Sequence, residues 1–314
     1  MTIDTNLDNC IKKELVPIQS ASKKGWGYSF VYNLRDLRDI YLLLSQNIGK
    51  SIQELLDICK KYNLISESGK DWTARNLLEI VNAWINFGYV RSIKHGYIII
   101  RQAEFNSDVN MPLDDNDKKI FLKIYFEYYK FKEFHSLFST NRTEKRLDGF
   151  VYAFSQGIRF VNNFFVPRTD TLWTINNSHK DMMRFWDVYT SWGIKLNVLD
   201  KLNLFAFDIM TIDERLRNSN MIYYVNEMSK DFSIIEYIKN SMSESYLSII
   251  SIERQLVWKY HFKIDDIKNR IVKECEHPNS SYRMQSTSSN FIRRNDHRYY
   301  PMVNNTYISH LLKV

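Results

Sequence analysis

Arginines near the end of the chain lie among aromatic residues, a combination that suits contact with nucleic acid. Arginine neutralises backbone phosphates, and aromatic rings stack on exposed bases. The group consists of Arg283, Arg293, Arg294, His297 and Arg298, with Tyr282, Phe291, Tyr299 and Tyr300 between or beside them. Nucleic-acid contact is one interpretation. The others are a solvated loop and a tail that folds onto a partner protein, because short basic runs are frequent.

Residue patterns that would support catalysis are missing from the sequence. It has no glycine-rich phosphate loop, no HExxH and no GxSxG. Cys275 and His277 form a CxH pair, but no neighbouring residues complete a zinc site. Asp208 is the nearest candidate for a metal nuclease, and it lacks a lysine at the required spacing. We therefore expect no catalytic residues, cofactor or metal, and keep a nuclease with a degenerate site as a minor alternative.

Composition and charge set broad limits on the class of protein. The 314 residues are enough for two or three domains. The net charge of +7 permits an anionic partner, but it equally serves solubility. No run of about 18 apolar residues predicts a membrane span, and the N-terminus lacks the apolar core of a signal peptide. The three cysteines are odd in number and far apart, which favours a reducing cytoplasm.

Residues 34–102 predict three helices followed by a hairpin. Helical spacing of apolar residues marks 34–46, and the SIQE pattern at Ser51 is a capping box for a second helix. Asp71 is the expected cap of the third helix, which Gly88 ends by adopting a positive φ. Two β-like runs then flank a turn at residues 94–96.

This order of elements resembles the winged-helix superfamily over about 70 residues. In the DNA-binding members of that superfamily, the third helix enters the major groove and the hairpin, or wing, touches the backbone. The resemblance implies that Arg75 and Asn76 reach base edges, and that Arg91 and Lys94 line the wing. Many winged helices instead dock other proteins, so DNA contact and protein docking both stay open here.

The middle of the chain predicts a second, enlarged module. Residues 181–199 align with 76–94, so that Gly193 corresponds to Gly88 and a hairpin is expected around Asp200-Lys201. A long helix over 118–138 precedes it, with acids at its start. This helix carries aromatic residues at three-to-four spacing, which favours a buried face over a base-stacking surface; they are Phe121, Tyr125, Tyr128 and Tyr129. The aromatic insertion at 155–177 is interpreted as core, with a partner surface as the alternative.

The last third predicts a further helix pair followed by strands. We expect a helix over 222–240 with a candidate break near 231–233, then over 245–260 an apolar entry followed by a helix, and a further helix over 264–277. Strands YRMQST and YISHLL follow, joined by a long basic loop. The polar face of the 264–277 helix carries Lys268 and Arg270, which join the candidates for nucleic-acid contact.

The predicted fold is α+β, mostly helical, with tandem winged-helix-like modules and small β-wings. The predicted divisions are an N-terminal extension at 1–33 and modules at 34–105, 114–210 and 222–314. The expected function is non-catalytic, backbone-dominated binding of duplex DNA, as a subunit of a larger complex. The alternative is a scaffold that holds partner proteins in an ATPase or nuclease machine, such as an anti-phage defence or chromosome-maintenance complex.

Overall fold

The computed structural model describes residues 31–106, 108–128, 131, 135, 150–153, 160–161, 164–165, 178–203, 220–286 and 297–314. About half of these residues are helical, and the strands form small antiparallel sheets, so the predicted α+β class is confirmed. The helices are α1 (Leu34–Gln46), α2 (Ile52–Lys61), α3 (Ala74–Asn86), α4 (Asp115–Glu127), α5 (Ser178–Lys195), α6 (Ile234–Ser241), α7 (Ile249–Tyr260) and α8 (Ile264–Cys275). The strands are β1 (Val90–Ile93), β2 (Gly96–Ile99), β3 (Phe150–Ala153), β4 (Phe160–Val161), β5 (Phe164–Phe165), β6 (Leu199–Asn203), β7 (Asn220–Tyr224), β8 (Tyr246–Ser248), β9 (Tyr282–Ser286), β10 (Met302–Val303) and β11 (Thr306–Lys313).

The chain divides into two compact units. The N-terminal unit comprises residues 9–140 and 156–197, and the C-terminal unit comprises 1–8, 141–155 and 198–314. The predicted 114–210 module is therefore shared between the two units. A compact unit can hold more than one module, so the other predicted boundaries stay predictions.

Side-chain caps mark where α2 and α3 begin. The predicted capping box is confirmed: the Ser51 hydroxyl accepts from the Glu54 amide at 3.3 Å, and the Glu54 carboxylate accepts from the Ser51 amide at 2.8 Å. The cap predicted at Asp71 is wrong. The third helix begins at Ala74, so Thr73 is the cap and its hydroxyl accepts from the Asn76 amide at 3.2 Å. Asp71 instead forms a β-bridge with Ile65.

The hairpin that follows α3 forms as predicted. Gly88 ends the helix region with φ of 78°, and β1 and β2 pair around residues 94–95. The connection between α1 and α2 lies against this hairpin, because the Gly49 amide donates to the Tyr97 carbonyl at 2.8 Å. A Cβ at Gly96 would collide with the Gly49 carbonyl oxygen. Glycine at position 96 thus allows the close approach of the two segments.

Two tryptophans organise the core of the N-terminal unit. The buried indoles of Trp84 and Trp192 donate to the carbonyls of Leu37 and Val31, each at 2.8 Å. Phe121 lies beside both rings, with centroid distances of 6.3 Å to Trp84 and 5.6 Å to Trp192. The preference for a buried aromatic face on this helix is confirmed for Phe121, Tyr125 and Tyr128. Tyr129 and most of the 155–177 insertion lie outside the described residues.

The predicted second hairpin around Asp200-Lys201 is wrong. Helix α5 runs through Gly193 to Lys195, and the chain reverses at Asn197, whose φ is 58°. Asp200 and Lys201 lie inside β6, which pairs with β7. That partner strand begins some twenty residues further along the chain, so no local turn signal could indicate the pairing.

The C-terminal unit contains two antiparallel sheets. The first has the order β3–β7–β6. Residues 222–224 are strand, so the predicted helix over 222–240 is wrong there and only α6 is helical. Ile222 and Tyr223 are both buried in this central strand, which removes the alternation that marks a strand in sequence. In the second sheet, β11 pairs with β8 on one side and with β9 on the other.

The remaining predicted elements of this unit are confirmed. Helices α7 and α8 follow β8 in direct succession, and β9 and β11 cover the two predicted strands. Ile264, Ile267 and Ile271 form the buried face of α8. Residues 287–296 of the predicted basic loop lie outside the described residues.

A fully buried arginine ties α1 to the start of α4. Arg38 donates from Nε and one terminal nitrogen to Asp39, and from the other terminal nitrogen to Asp117 at 2.9 Å. It also donates to the carbonyls of Met111 and Pro112. Side chains of Arg38, Asp39 and Asp117 are at most 1% exposed. All five guanidinium donors are thus satisfied inside the N-terminal unit.

Replacing Arg38 by methionine is expected to lower the free energy of unfolding by about 3–5 kcal/mol, because the buried carboxylates of Asp39 and Asp117 lose the guanidinium that binds them both. Urea unfolding followed by circular dichroism measures this loss. The matched control is Arg91→Met at an exposed strand position, where the change should stay within about 0.5 kcal/mol. Equal effects of the two substitutions would contradict the role of the buried network.

Candidate nucleic-acid interface

The start of α3 presents an exposed cation to solvent. The Arg75 side chain is 77% exposed, and its Nε lies 3.5 Å from a Glu79 carboxylate oxygen. Asn76 is half-buried, and its backbone amide is bound by the helix cap. The first turn of α3 contains no acidic residue. A polyanion approaching this helix end therefore meets no acidic side chain in that turn and benefits from the positive end of the helix dipole.

The hairpin of the same unit carries two more of the predicted residues. Arg91 lies on β1 and Lys94 lies in the turn, and both are exposed. Every residue of β1 after Val90 faces solvent. The hydrogen bond between Gly49 and Tyr97 holds the hairpin against the α1–α2 connection. All four candidates of residues 34–102 thus lie on two successive elements, and three of them are exposed.

Three of the C-terminal candidates, Lys268, Arg270 and Arg298, are bonded to other parts of the protein. Lys268 donates to the Arg298 carbonyl at 2.7 Å and pairs with Asp265 at 2.8 Å. Arg270 donates to three carbonyls of the 229–232 segment and lies near Glu274. The side chains of Lys268 and Arg270 are only 16% and 21% exposed. The positive charges of Lys268 and Arg270 therefore mainly stabilise contacts within the unit, and little of each side chain is accessible to a ligand.

Arg298 joins its segment to the β3–β7–β6 sheet. Its guanidinium pairs with the buried Asp200 carboxylate and donates to the Lys201 carbonyl. The Tyr223 hydroxyl donates to Asp200 at 3.2 Å. Burial, and next the Asp200 carboxylate, raise the pKa of Tyr223 well above its ordinary value, so it stays a neutral donor. The sequence pattern around Arg298 did not reveal this partner because Asp200 lies almost a hundred residues away.

The other predicted cations divide into one exposed residue and two without a described position. Arg283 is exposed on β9. Arg293 and Arg294 lie outside the described residues, as do Asp208 and the acids that follow it. Within the part of the C-terminal unit that the structure describes, Arg283 is therefore the predicted nucleic-acid ligand that keeps its charge at the surface.

A buried glutamate that sequence reasoning missed lies near Lys268 and Arg298. Glu253 of α7 is fully buried, and neither carboxylate oxygen has a hydrogen-bond partner among the described residues. Burial raises the pKa of Glu253 well above its ordinary value, and the charges of Lys268 and Arg298 oppose that rise. Its place four residues after Ile249 puts it on the apolar face of the helix, a signal that the sequence did contain.

Metal and thiol chemistry find little support in the described ranges. No group of three His, Cys, Asp or Glu residues there could hold a metal ion. Burial, and next Glu274, raise the pKa of Cys275 to about 11, so its thiol stays protonated at neutral pH. No described helix is both long and apolar enough to cross a membrane.

Comparison with protein-family models, curated proteins and solved structures found no match to this chain. The function of its exposed cations therefore has to be inferred from their own geometry and charge.

Replacing Glu253 by glutamine is expected to stabilise the protein increasingly as pH rises. The unfolded chain releases this proton near pH 4.5, whereas the folded chain holds it to higher pH, so wild-type stability falls above pH 4.5. Glutamine cannot ionise and removes that decline. Urea unfolding at pH 4.5, 6 and 8 measures the difference, with exposed Glu276→Gln as the control. A difference that is independent of pH would refute the assignment.

Proposed function

We propose that the chain is a non-catalytic winged-helix protein that binds duplex DNA through residues 34–101. The order α1–α2–α3–β1–β2, with the α1–α2 connection bonded to the hairpin through Gly49, supports such a module. In this proposal α3 lies in the major groove, where Arg75 and Asn76 meet base edges. The hairpin contacts the backbone through Arg91 and Lys94.

The observation that carries the proposal is the exposure of Arg75, Arg91 and Lys94 together with the acid-free first turn of α3. In the C-terminal unit the corresponding helix is α8, and its first turn is acidic. α8 begins with Asp265 and Asp266, whose carboxylates suit the helix dipole but repel phosphate. Its two basic candidates are bonded inside the unit. The proposed DNA contact therefore belongs to the N-terminal unit.

The C-terminal unit supports the proposal of a second winged-helix-like module. From α6 to β11 the elements run helix, strand, helix, helix and then three strands, and β11 lies between β8 and β9. The hairpin turn predicted around Asp200-Lys201 for the 114–210 module is not a turn, because both residues lie inside β6. We therefore restrict the tandem arrangement to two modules, one in each unit.

A scaffold is the second candidate function, because apolar side chains are exposed on the same N-terminal module. Ile48, Tyr62 and Ile93 are 61%, 68% and 42% exposed. Ile48 precedes Gly49, which is bonded to the hairpin that contains Ile93. Such side chains favour contact with a partner protein, as in a subunit of an ATPase or nuclease machine.

Lys94→Gln is expected to reduce the dependence of log K on log salt for duplex DNA by about 0.9, because one phosphate contact is lost. Arg75→Gln is expected to cost about 1–3 kcal/mol at a preferred sequence, since it removes a base contact. Fluorescence anisotropy in salt from about 50 to about 200 mM measures both effects. Exposed Lys123→Gln on α4 is the matched control.

Absence of binding at low salt, or a salt response that is flat, would rule out the DNA-binding function. A double variant, Ile48→Ser with Ile93→Ser, distinguishes the scaffold function from DNA binding. This variant should keep its DNA affinity if the module reads DNA alone, and should lose a stably co-purifying partner subunit if the module is a scaffold.

A further inference from the structure

A surface groove of about 390 Å³ lies in the C-terminal unit, beside α6 and the end of α8. Ser233 and Lys239 line it from the α6 region, Lys273 lines it from α8, and His277 and Ser280 line it from the segment that follows. Sites for small molecules usually have a volume of about 300–1,000 Å³ and a mainly apolar lining. This groove has the volume of such a site, and all but one of its lining residues, Ile235, have charged or hydrogen-bonding side chains.

Basic residues dominate the charge of the groove. Lys239, Arg270, Lys273 and His277 all line it, whereas Glu274 is the sole acid among its lining residues. Lys239, Lys273 and His277 are exposed. Arg270 gives three of its five N–H donors to backbone carbonyls of the 229–232 segment, so it contributes positive charge to the groove while most of its donors are already bonded.

The carboxylate of Glu274 is already bound by other groups of the same unit. It accepts from the Ser233 hydroxyl at 2.9 Å and from the amides of Ile234 and Ile235 at 3.2 and 2.9 Å. These groups form the positive end of α6. Arg270 lies 3.9 Å from the same carboxylate. The ammonium groups of Lys239 and Lys273 are therefore left as the exposed charges that a ligand in the groove would meet.

We propose that this groove binds a phosphate group, with Lys239 and Lys273 as its principal ligands. Phosphate oxygens accept charge-assisted hydrogen bonds from ammonium groups, and His277 adds a further nitrogen at the rim of the groove. The phosphate is either a free anion or part of a nucleic-acid backbone, since both present the same oxygens. The groove belongs to the C-terminal unit, so this site is independent of the DNA contact proposed for residues 34–101.

The experiment compares the full chain with its Lys239→Gln and Lys273→Gln variants. Inorganic phosphate should raise the melting temperature of the wild type above that in sodium chloride of equal ionic strength, because a ligand stabilises the state that binds it. Each substitution should weaken the apparent affinity by about threefold, the scale of one exposed ion pair. Titration followed by phosphorus NMR line width measures the affinity directly.

Lys313→Gln, at an exposed position on β11, is the matched control and should leave phosphate binding unchanged. Circular dichroism confirms that each variant is folded. No phosphate-specific stabilisation of the wild type, or equal affinity in the wild type and both groove variants, overturns the proposal.

Labelled oligonucleotides distinguish the two sources of phosphate. A backbone phosphate predicts that each groove substitution lowers the salt dependence of DNA binding by about 0.7–0.9. A free anion predicts weaker inorganic phosphate binding with unchanged DNA binding. Either result supports the phosphate site. The variants of Arg75 and Lys94 should not alter inorganic phosphate binding, so failure of the DNA contact and failure of the groove can be told apart.

Discussion

The buried guanidinium of Arg38 is the interaction on which the arrangement of the N-terminal unit depends. Taking an arginine and two carboxylates out of water is costly unless every donor and acceptor is satisfied. Here Asp117 both binds Arg38 and completes the capping box at Asp114, so one carboxylate starts α4 and anchors it to α1. The Trp84 indole of α3 also donates a hydrogen bond to the carbonyl of Leu37 in α1, which attaches α3 to that helix. The helix that presents Arg75 is thereby held by a polar network as well as by apolar packing.

The C-terminal unit uses its basic residues in a different way. Arg298, Lys268 and Arg270 connect segments that are distant in sequence, and the partners that join those segments are the buried Asp200 carboxylate and backbone carbonyls. A cation bonded in this way gains little by moving to a phosphate, because its old partners would be left without a hydrogen bond. This explains why Lys268, Arg270 and Arg298 are weaker candidates for DNA contact than the exposed cations of the N-terminal unit. Charge remains available instead at the groove of Lys239 and Lys273.

Local signals predicted much of the fold because they act within a few residues. The capping box at Ser51, the positive φ at Gly88 and the β1–β2 hairpin all depend on contacts between near neighbours. The predictions that were wrong concern structure that depends on residues far apart in the sequence. Gly193 resembles a helix end but lies inside α5, and β6 finds its partner in β7 across a long intervening segment. Such pairings depend on the packing of the whole unit, which periodicity does not encode.

The sequence by itself determined the α+β class, the first three helices with their hairpin, and the residue types able to meet a phosphate. Tertiary structure alone decided which of those residues remain at the surface. Arg75, Arg91 and Lys94 stay exposed, whereas Lys268, Arg270 and Arg298 find partners inside the C-terminal unit. The reason is physical: a side chain carries the same charge wherever it lies, but its availability depends on neighbours that folding brings from distant parts of the chain.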